Sequence, residues 1–172
     1  MIAFCSMICQ GAMFDWSGVY FKKVVLAKPA YVGLGYTAFM ISMTAIRFLT
    51  DWITQHMGFR KIIVVCGLFA TVGLLLTVFF PYLWPATIGL LIVGIGVSPT
   101  VPLVYSAAGK SHILPPPVAI AAVSSISTIG LLIGPPMIGF IAGLTSLKIS
   151  FLILSLFGAA ITVFALLLKR QE

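Results

Sequence analysis

The amino-acid sequence predicts an all-α membrane protein with six transmembrane helices arranged as two three-helix units. Hydrophobic residues make up 61% of the 172 residues and charged residues only 8%, with a mean hydropathy of +1.21. Globular domains carry about 25% charged residues. Several apolar runs reach the roughly 20 residues that a helix needs to cross about 30 Å of hydrocarbon. Polar, Gly and Pro residues recur in the first, second, fourth and fifth runs and are scarce in the third and sixth.

Polar and proline interruptions set the boundaries of the six helices. A lysine-containing loop closed by Pro29 separates the first two helices, Pro81 and Pro85 bracket the turn before the fourth, and three consecutive prolines at 115–117 precede the fifth. Proline cannot continue a helix, so each marks an end. We predict a single domain over residues 1–172 with helices at 2–21, 31–49, 62–80, 86–106, 118–142 and 149–168.

The distribution of polar residues predicts how the six helices are arranged. An inverted repeat of two three-helix units would turn the third helix of each unit to lipid and let the other four line a central pathway. The nearly pure hydrocarbon character of the third and sixth helices fits this arrangement. A chance distribution of polar residues over six helices would give the same picture.

The net charge of +7 is explained by membrane topology and not by nucleic-acid binding. The ten basic residues stand singly or in pairs at the ends of apolar runs, so we expect no nucleic-acid partner. Because basic residues favour the cytoplasmic side, both termini are predicted to be cytoplasmic. This orientation places six basic residues on the cytoplasmic side, namely Arg47, Arg60, Lys61, Lys110, Lys169 and Arg170. Four lie on the opposite side, namely Lys22, Lys23, Lys28 and Lys148.

The sequence lacks the motifs of enzymes and of metal or nucleotide sites. Its three cysteines lie inside apolar runs without a C-x-x-C pair, and His56 and His112 are far apart in predicted loops. No nucleophile elbow, H-E-x-x-H or phosphate-binding glycine motif is present. We therefore predict that the chain is not an enzyme and needs no cofactor or metal.

The polar segment between the second and third helices contains Asp51, Gly58, Arg60 and Lys61. This arrangement resembles the loop that joins the second and third helices in each half of a major facilitator superfamily transporter. The resemblance implies a charge latch on the cytoplasmic side that holds one conformation of a carrier. Arg47 stands one turn before Asp51 and is able to pair with it at i, i+4, although snorkelling to lipid headgroups explains Arg47 equally well.

The first helix contains Gln10-Gly-Ala-Met-Phe-Asp15-Trp16-Ser17. This segment resembles the first helix of the carboxy-terminal half in a bacterial subgroup of that superfamily, described as YbjJ-like, with Gln10 at the place of an acid. Asp15 is the only acid inside a predicted span, where a charge costs on the order of 3 kcal/mol unless it meets water or a partner. Asp15 is therefore a pathway candidate, with a surface ion pair to Lys22 as the alternative.

Four further residues complete the predicted pathway. Gln10 either lines it or forms a hydrogen bond between helices. Tyr36 shares one face of the second helix with Met40, Met43 and Arg47. Ser124 and Thr128, one turn apart, either line the pathway or bond their own i−4 carbonyls.

Two helices contain glycine and proline where a membrane helix should bend. In the fourth predicted helix, Gly96, Pro99 and Pro102 resemble the broken tenth helix of the superfamily, and such breaks free carbonyls that need partners. In the fifth, Gly134-Pro135-Pro136-x-x-Gly139 resembles a gate-like motif of the same family. The spacings Gly130-x-x-x-Gly134 and Gly139-x-x-x-Gly143 also allow close helix packing.

The resemblance covers the whole chain and implies the carboxy-terminal half of a carrier. The expected function is ion-coupled secondary transport of a small solute by alternating access in a bacterial inner (plasma) membrane. Because such a carrier has two six-helix halves, the expected partners are lipid, a small-molecule substrate and either a second six-helix half or a second copy. The alternative is a membrane remnant or an assembly partner that binds another membrane subunit without transporting.

Overall fold

The computed structural model describes residues 1–110 and 114–167, with the side chains of Asp51 and Gln55 outside the description. The described residues form seven α-helices and one 3₁₀ turn, Pro29–Tyr31. The helices are α1 Ile2–Lys23, α2 Leu34–Met57, α3 Phe59–Phe79, α4 Leu83–Val97, α5 Thr100–Gly109, α6 Pro116–Leu144 and α7 Leu147–Leu167.

Within the described ranges, five helical segments are long and apolar enough to cross a membrane. They are Pro29–Thr50, Phe59–Phe79, Leu83–Gly109, Pro116–Leu144 and Leu147–Leu167, so α4 and α5 together form one span. The remaining predicted span is the first, at 2–21. It corresponds to α1, which is 22 residues long but more polar because it contains Gln10, Asp15 and Ser17. The predicted fold class, an all-α bundle of membrane-spanning helices, is confirmed.

Most helix boundaries lie within three residues of the predicted ones, and larger differences occur at two places. The second helix, predicted to end at residue 49, continues to Met57, so Asp51 lies in helix and Gly58 alone separates α2 from α3. Gly58 has φ +78°, a left-handed conformation that glycine adopts without steric cost. The fourth predicted helix is divided, because α4 ends at Val97 and α5 begins at Thr100.

The two three-helix units are joined by contacts between units more than by contacts within them. The most extensive contacts are α3 with α7, α3 with α4, α1 with α6 and α2 with α4. In an inverted repeat, α1 is equivalent to α4–α5, α2 to α6 and α3 to α7. The α2–α4 contact then corresponds to the α6–α1 contact, and the α3–α4 contact corresponds to an α7–α1 contact. That last pair is also in contact. This reciprocity is the pattern that an inverted repeat produces.

Glycines let the parallel helices α1 and α6 approach closely. A Cβ atom on Gly130 would lie 2.6 Å from the carbonyl oxygen of Phe4, and one on Gly134 would lie 2.7 Å from that of Ile8. On the other side, a Cβ on Gly11 would lie 2.6 Å from the carbonyl oxygen of Leu131. These distances are too short for any side chain, so glycine is required at the crossing.

Helix α3 meets its two neighbours in the same way. A Cβ on Gly73 would lie 2.5 Å from the Gly89 carbonyl oxygen of α4, and one on Gly96 would lie 2.5 Å from the Cys66 carbonyl oxygen. Towards α7, a Cβ on Gly67 would lie 2.6 Å from the backbone nitrogen of Thr162. Backbone contact therefore joins the two units at several levels of the bundle.

Replacing Gly134 by alanine should destabilise the bundle, because its methyl group would meet the backbone of α1. Overpacking of this kind typically costs about 1–3 kcal/mol. The matched control is Gly143→Ala in the same helix, where a Cβ would find nothing within 4 Å.

Thermal unfolding of the purified chain in detergent checks this prediction. Gly134→Ala should unfold at a lower temperature than the wild type. Gly143→Ala should be neutral or slightly stabilising, because alanine favours helix over glycine by about 1 kcal/mol. Equal unfolding temperatures for the two variants would contradict the assigned crossing.

Candidate functional site

The exposed sides of α2 and α6 make up the least buried surface among the described spans. Only 22% of the most apolar segment is buried in each of these two spans, against 39–61% in the other three. We call the exposed sides of α2 and α6 the open face. It carries polar side chains among apolar ones, including Tyr36, Thr37 and Thr44 on α2 and Ser125 and Thr128 on α6.

Two of the predicted pathway residues, Asp15 and Tyr36, line the same groove. The groove lies between the second half of α1 and the start of α2, has a volume of about 360 Å³, and is also lined by Ser17 and Lys22. Asp15 is exposed, and among the described side chains no ion pair joins it to Lys22. The carboxylate is therefore accessible from the groove.

Gln10 lies inside the bundle, with 3% of its surface exposed. Its amide nitrogen donates to Ser6 Oγ and to the carbonyl oxygen of Val97, both at 3.4 Å, and Ser6 Oγ donates to the same carbonyl at 3.3 Å. These bonds link α1 to the last residue of α4. The geometry fits the hydrogen bond between helices that the sequence offered as one interpretation of Gln10.

Ser124 and Thr128 lie at a different level from Asp15 and Tyr36. Because Gly130 packs beside Phe4 in a parallel pair, Thr128 is roughly level with Ile2, and Asp15 is about 20 Å further along α1. Ser124 is half-buried and Thr128 is exposed. The five predicted residues therefore do not form one cluster: Asp15 and Tyr36 lie at one level, and Ser124 and Thr128 lie at another.

The break between α4 and α5 is hydrogen-bonded by side chains. Pro99 and Pro102 have no N–H and cannot donate to the carbonyls four residues before them. Ser98 Oγ donates to the carbonyl oxygen of Met43 in α2 at 2.7 Å, and the Thr100 hydroxyl donates to the carbonyl of Gly96 at 3.4 Å. Together with Gln10, these bonds connect the break to both α1 and α2.

The Gly134-Pro135-Pro136-x-x-Gly139 motif lies within one continuous helix, α6. The indole Nε1 of Trp16 donates to the carbonyl oxygen of Pro135 at 2.9 Å. A Cβ on Gly139 would lie 2.9 Å from the Trp16 ring, so this glycine makes room for the indole. The sequence did not predict the contact, although Trp16 stands five residues after Gly11 on the helix that meets α6.

The structure gives Arg60 a partner that the sequence did not suggest. Its guanidinium lies at the described end of α7, where Nε donates to the carbonyl oxygen of Ala165 at 3.2 Å and Nη2 donates to that of Leu166. Carbonyls in the last turn of a helix carry partial negative charge and favour a cation. Arg60 thereby joins the start of α3 to α7.

The other latch candidates gather around the α2–α3 junction. Arg47 is exposed and its Nη2 lies 3.9 Å from Met43 Sδ, one turn back. Lys61 is exposed beside Arg60. The side chain of Asp51 lies outside the described residues, as do Lys169, Arg170 and His112, so their predicted pairing and placement stay predictions.

The bundle corresponds to a known family. The model of the Major Facilitator Superfamily matches residues 2–172. The chain belongs to the major facilitator superfamily. Consistent with its apolar helices, it is an integral membrane protein. The YbjJ-like subgroup stays a prediction.

Three curated proteins are similar along most of the chain. An uncharacterized MFS-type transporter of Yersinia pestis is 34% identical over 87% of this chain and 39% of its own length. An uncharacterized transporter, y4wD, of Sinorhizobium fredii is 31% identical over 99% of this chain and 45% of its own length. Membrane protein MosC of Rhizobium meliloti is 28% identical over 100% of this chain and 42% of its own length. The chain spans less than half the length of these relatives.

Removing the Arg60 side chain should destabilise the end of α7. Hydrogen bonds from a charged donor are worth about 1.5–3 kcal/mol, so Arg60→Ala should increase hydrogen exchange in the last described turn of α7. Lys61→Ala is the matched control, because that neighbouring cation is exposed. Amide exchange measured by mass spectrometry checks this. Equal exchange in the two variants would show that the Arg60 contact contributes nothing.

Proposed function

We propose that this chain is one six-helix half of a secondary active transporter that carries a small solute by ion-coupled alternating access. In this proposal the open face of α2 and α6 meets a second six-helix half or a second copy of the chain. The observation that carries the proposal is the open face itself, which combines low burial with polar side chains in an otherwise apolar bundle.

Two further facts support a second half. The relatives are more than twice as long as the matched segment, so their sequences have room for another bundle of this size. Polar groups such as those of Thr44 and Thr128 lack water in the bilayer core, which disfavours their exposure to hydrocarbon. A facing half with a watery pathway between the two would remove this cost.

The predicted residues take distinct roles in the proposed carrier. Asp15 and Tyr36 would line one end of the pathway, and Ser124 and Thr128 the other end. Gln10 would act between them by tying α1 to the α4–α5 break. The bending that alternating access needs would occur at the glycines and prolines of two helices: Gly96, Pro99 and Pro102, and in α6 Gly134, Pro135 and Gly139. The latch would lie on the cytoplasmic side and consist of Arg47, Asp51, Gly58, Arg60 and Lys61. We place both termini on the same side.

Cysteine labelling tests whether the open face borders a watery pathway. Thr128→Cys places a thiol on the open face, and Leu156→Cys places one on the exposed side of α7, where 65% of Leu156 is accessible. The native cysteines are buried and should react slowly. In membranes that contain the second half, a membrane-impermeant maleimide should label Thr128→Cys roughly tenfold faster than Leu156→Cys.

The same two variants distinguish the proposal from its alternative. If the chain is a half-carrier, labelling of Thr128→Cys should rise when a second half is co-expressed, because lipid on the open face is replaced by water and protein. If it is a remnant or a non-transporting assembly partner, the rate at Thr128→Cys should stay as low as at Leu156→Cys.

Asp15→Asn should abolish uptake driven by a pH gradient in the complete carrier, because the amide cannot take up or release a proton. Solute counterflow needs no net proton movement and should persist when the solute is present at a saturating concentration, and far-UV circular dichroism checks that the variant is folded. Uptake into proteoliposomes with an imposed pH difference measures both. Unchanged gradient-driven uptake would remove Asp15 from the coupling mechanism.

A further inference from the structure

The groove between α1 and α2 carries opposite charges on one wall. Asp15 and Lys22 both line it and stand seven residues apart on α1. That spacing places them on the same side of the helix, about 10 Å apart along its axis. In the part of the chain that is described, no ion pair joins them. Both charges are therefore available to a third group.

Gly18 lies in the wall of the groove, where no close packing contact requires a glycine. A Cβ on Gly18 would find a single atom within 4 Å, the Val32 carbonyl oxygen at 4.0 Å. This contrasts with Gly11 in the same helix, which a backbone oxygen at 2.6 Å excludes from carrying a side chain. Glycine inside a helix is disfavoured relative to alanine, so open space at Gly18 is consistent with a binding role.

Aromatic rings line the groove beside the carboxylate. Phe14 packs edge-on against the buried ring of Phe39, with centroids 6.0 Å apart, which fixes its position. Tyr36 contributes a second ring from α2. Aromatic faces attract organic cations. The rings together with the Asp15 carboxylate therefore make a better site for an ammonium group than the carboxylate alone.

We propose that this groove binds a small zwitterion, with its ammonium group at Asp15 near Phe14 and Tyr36 and its anionic group at Lys22. The groove is open on one side and has a volume of about 360 Å³, which is enough for a small solute. This inference deepens the proposed function and rests on it, because the zwitterion would be the carried solute.

Titration calorimetry on the full chain in lipid nanodiscs tests the site directly. The probes are β-alanine, 4-aminobutyrate and 6-aminohexanoate, which separate an ammonium from a carboxylate by increasing lengths, with hexylamine and hexanoate as singly charged controls. At least one zwitterion should bind roughly tenfold or more tightly than either control, because each lost charge-assisted hydrogen bond weakens binding. Equal binding of a singly charged control, or no binding of any zwitterion, would overturn the proposal.

Variants separate the site from nonspecific binding to lipid or protein. Gly18→Leu should abolish zwitterion binding by filling the groove, whereas Gly143→Leu, also in open space, should leave it unchanged. Asp15→Asn and Lys22→Gln should each weaken it roughly tenfold. Far-UV circular dichroism and thermal unfolding confirm folding of every variant. Binding that survives Gly18→Leu in a folded chain would exclude this groove.

Transport measurements distinguish failure of this inference from failure of the proposed function. If zwitterions bind as expected but the complete carrier moves no solute, the site stands and the transporter proposal fails. If the complete carrier transports a solute while no zwitterion binds the groove, the transporter proposal stands and the zwitterion site is wrong.

Discussion

Close backbone contact at glycines is the interaction on which the bundle depends. In a bilayer, apolar side chains gain little by leaving lipid for protein, so helices associate through van der Waals contact and hydrogen bonds. Gly130 and Gly134 supply that contact between α1 and α6, and Gly73 and Gly96 supply it between α3 and α4. Since all these crossings join one three-helix unit to the other, the units stabilise each other and neither is complete alone.

The same contacts decide which surface remains for function. Once α1 and α4 are engaged by glycine crossings, α2 and α6 are left with most of their surface exposed. Hydrogen bonds from Ser6 and Gln10 to Val97, and from Ser98 to Met43, hold the broken helix against α1 and α2. Movement at the break would therefore be transmitted to the two helices that border the groove.

The features that could be predicted from the sequence are those that local residue patterns determine. Apolar run lengths predicted the helices, and the spacing of Gly130 and Gly134 predicted close packing without naming α1 as the partner. The sequence could not predict that Arg60 bonds carbonyls more than 100 residues later, because helix-end patterns do not specify distant neighbours. It also ended the second helix too early, since no residue between Asp51 and Met57 forbids helix and only Gly58 stops it.

The Arg60 contact bears on how a latch would operate. A guanidinium has five N–H donors, and the bonds to Ala165 and Leu166 use Nε and Nη2. Nη1 has no partner among the described residues, so pairing with an acid such as Asp51 would not require Arg60 to leave α7. A latch built in this way would connect α2, α3 and α7 at one end of the bundle. Because α3 and α7 are already joined through Gly67 and Gly158, its opening would release α2 while the α3–α7 pair stays together.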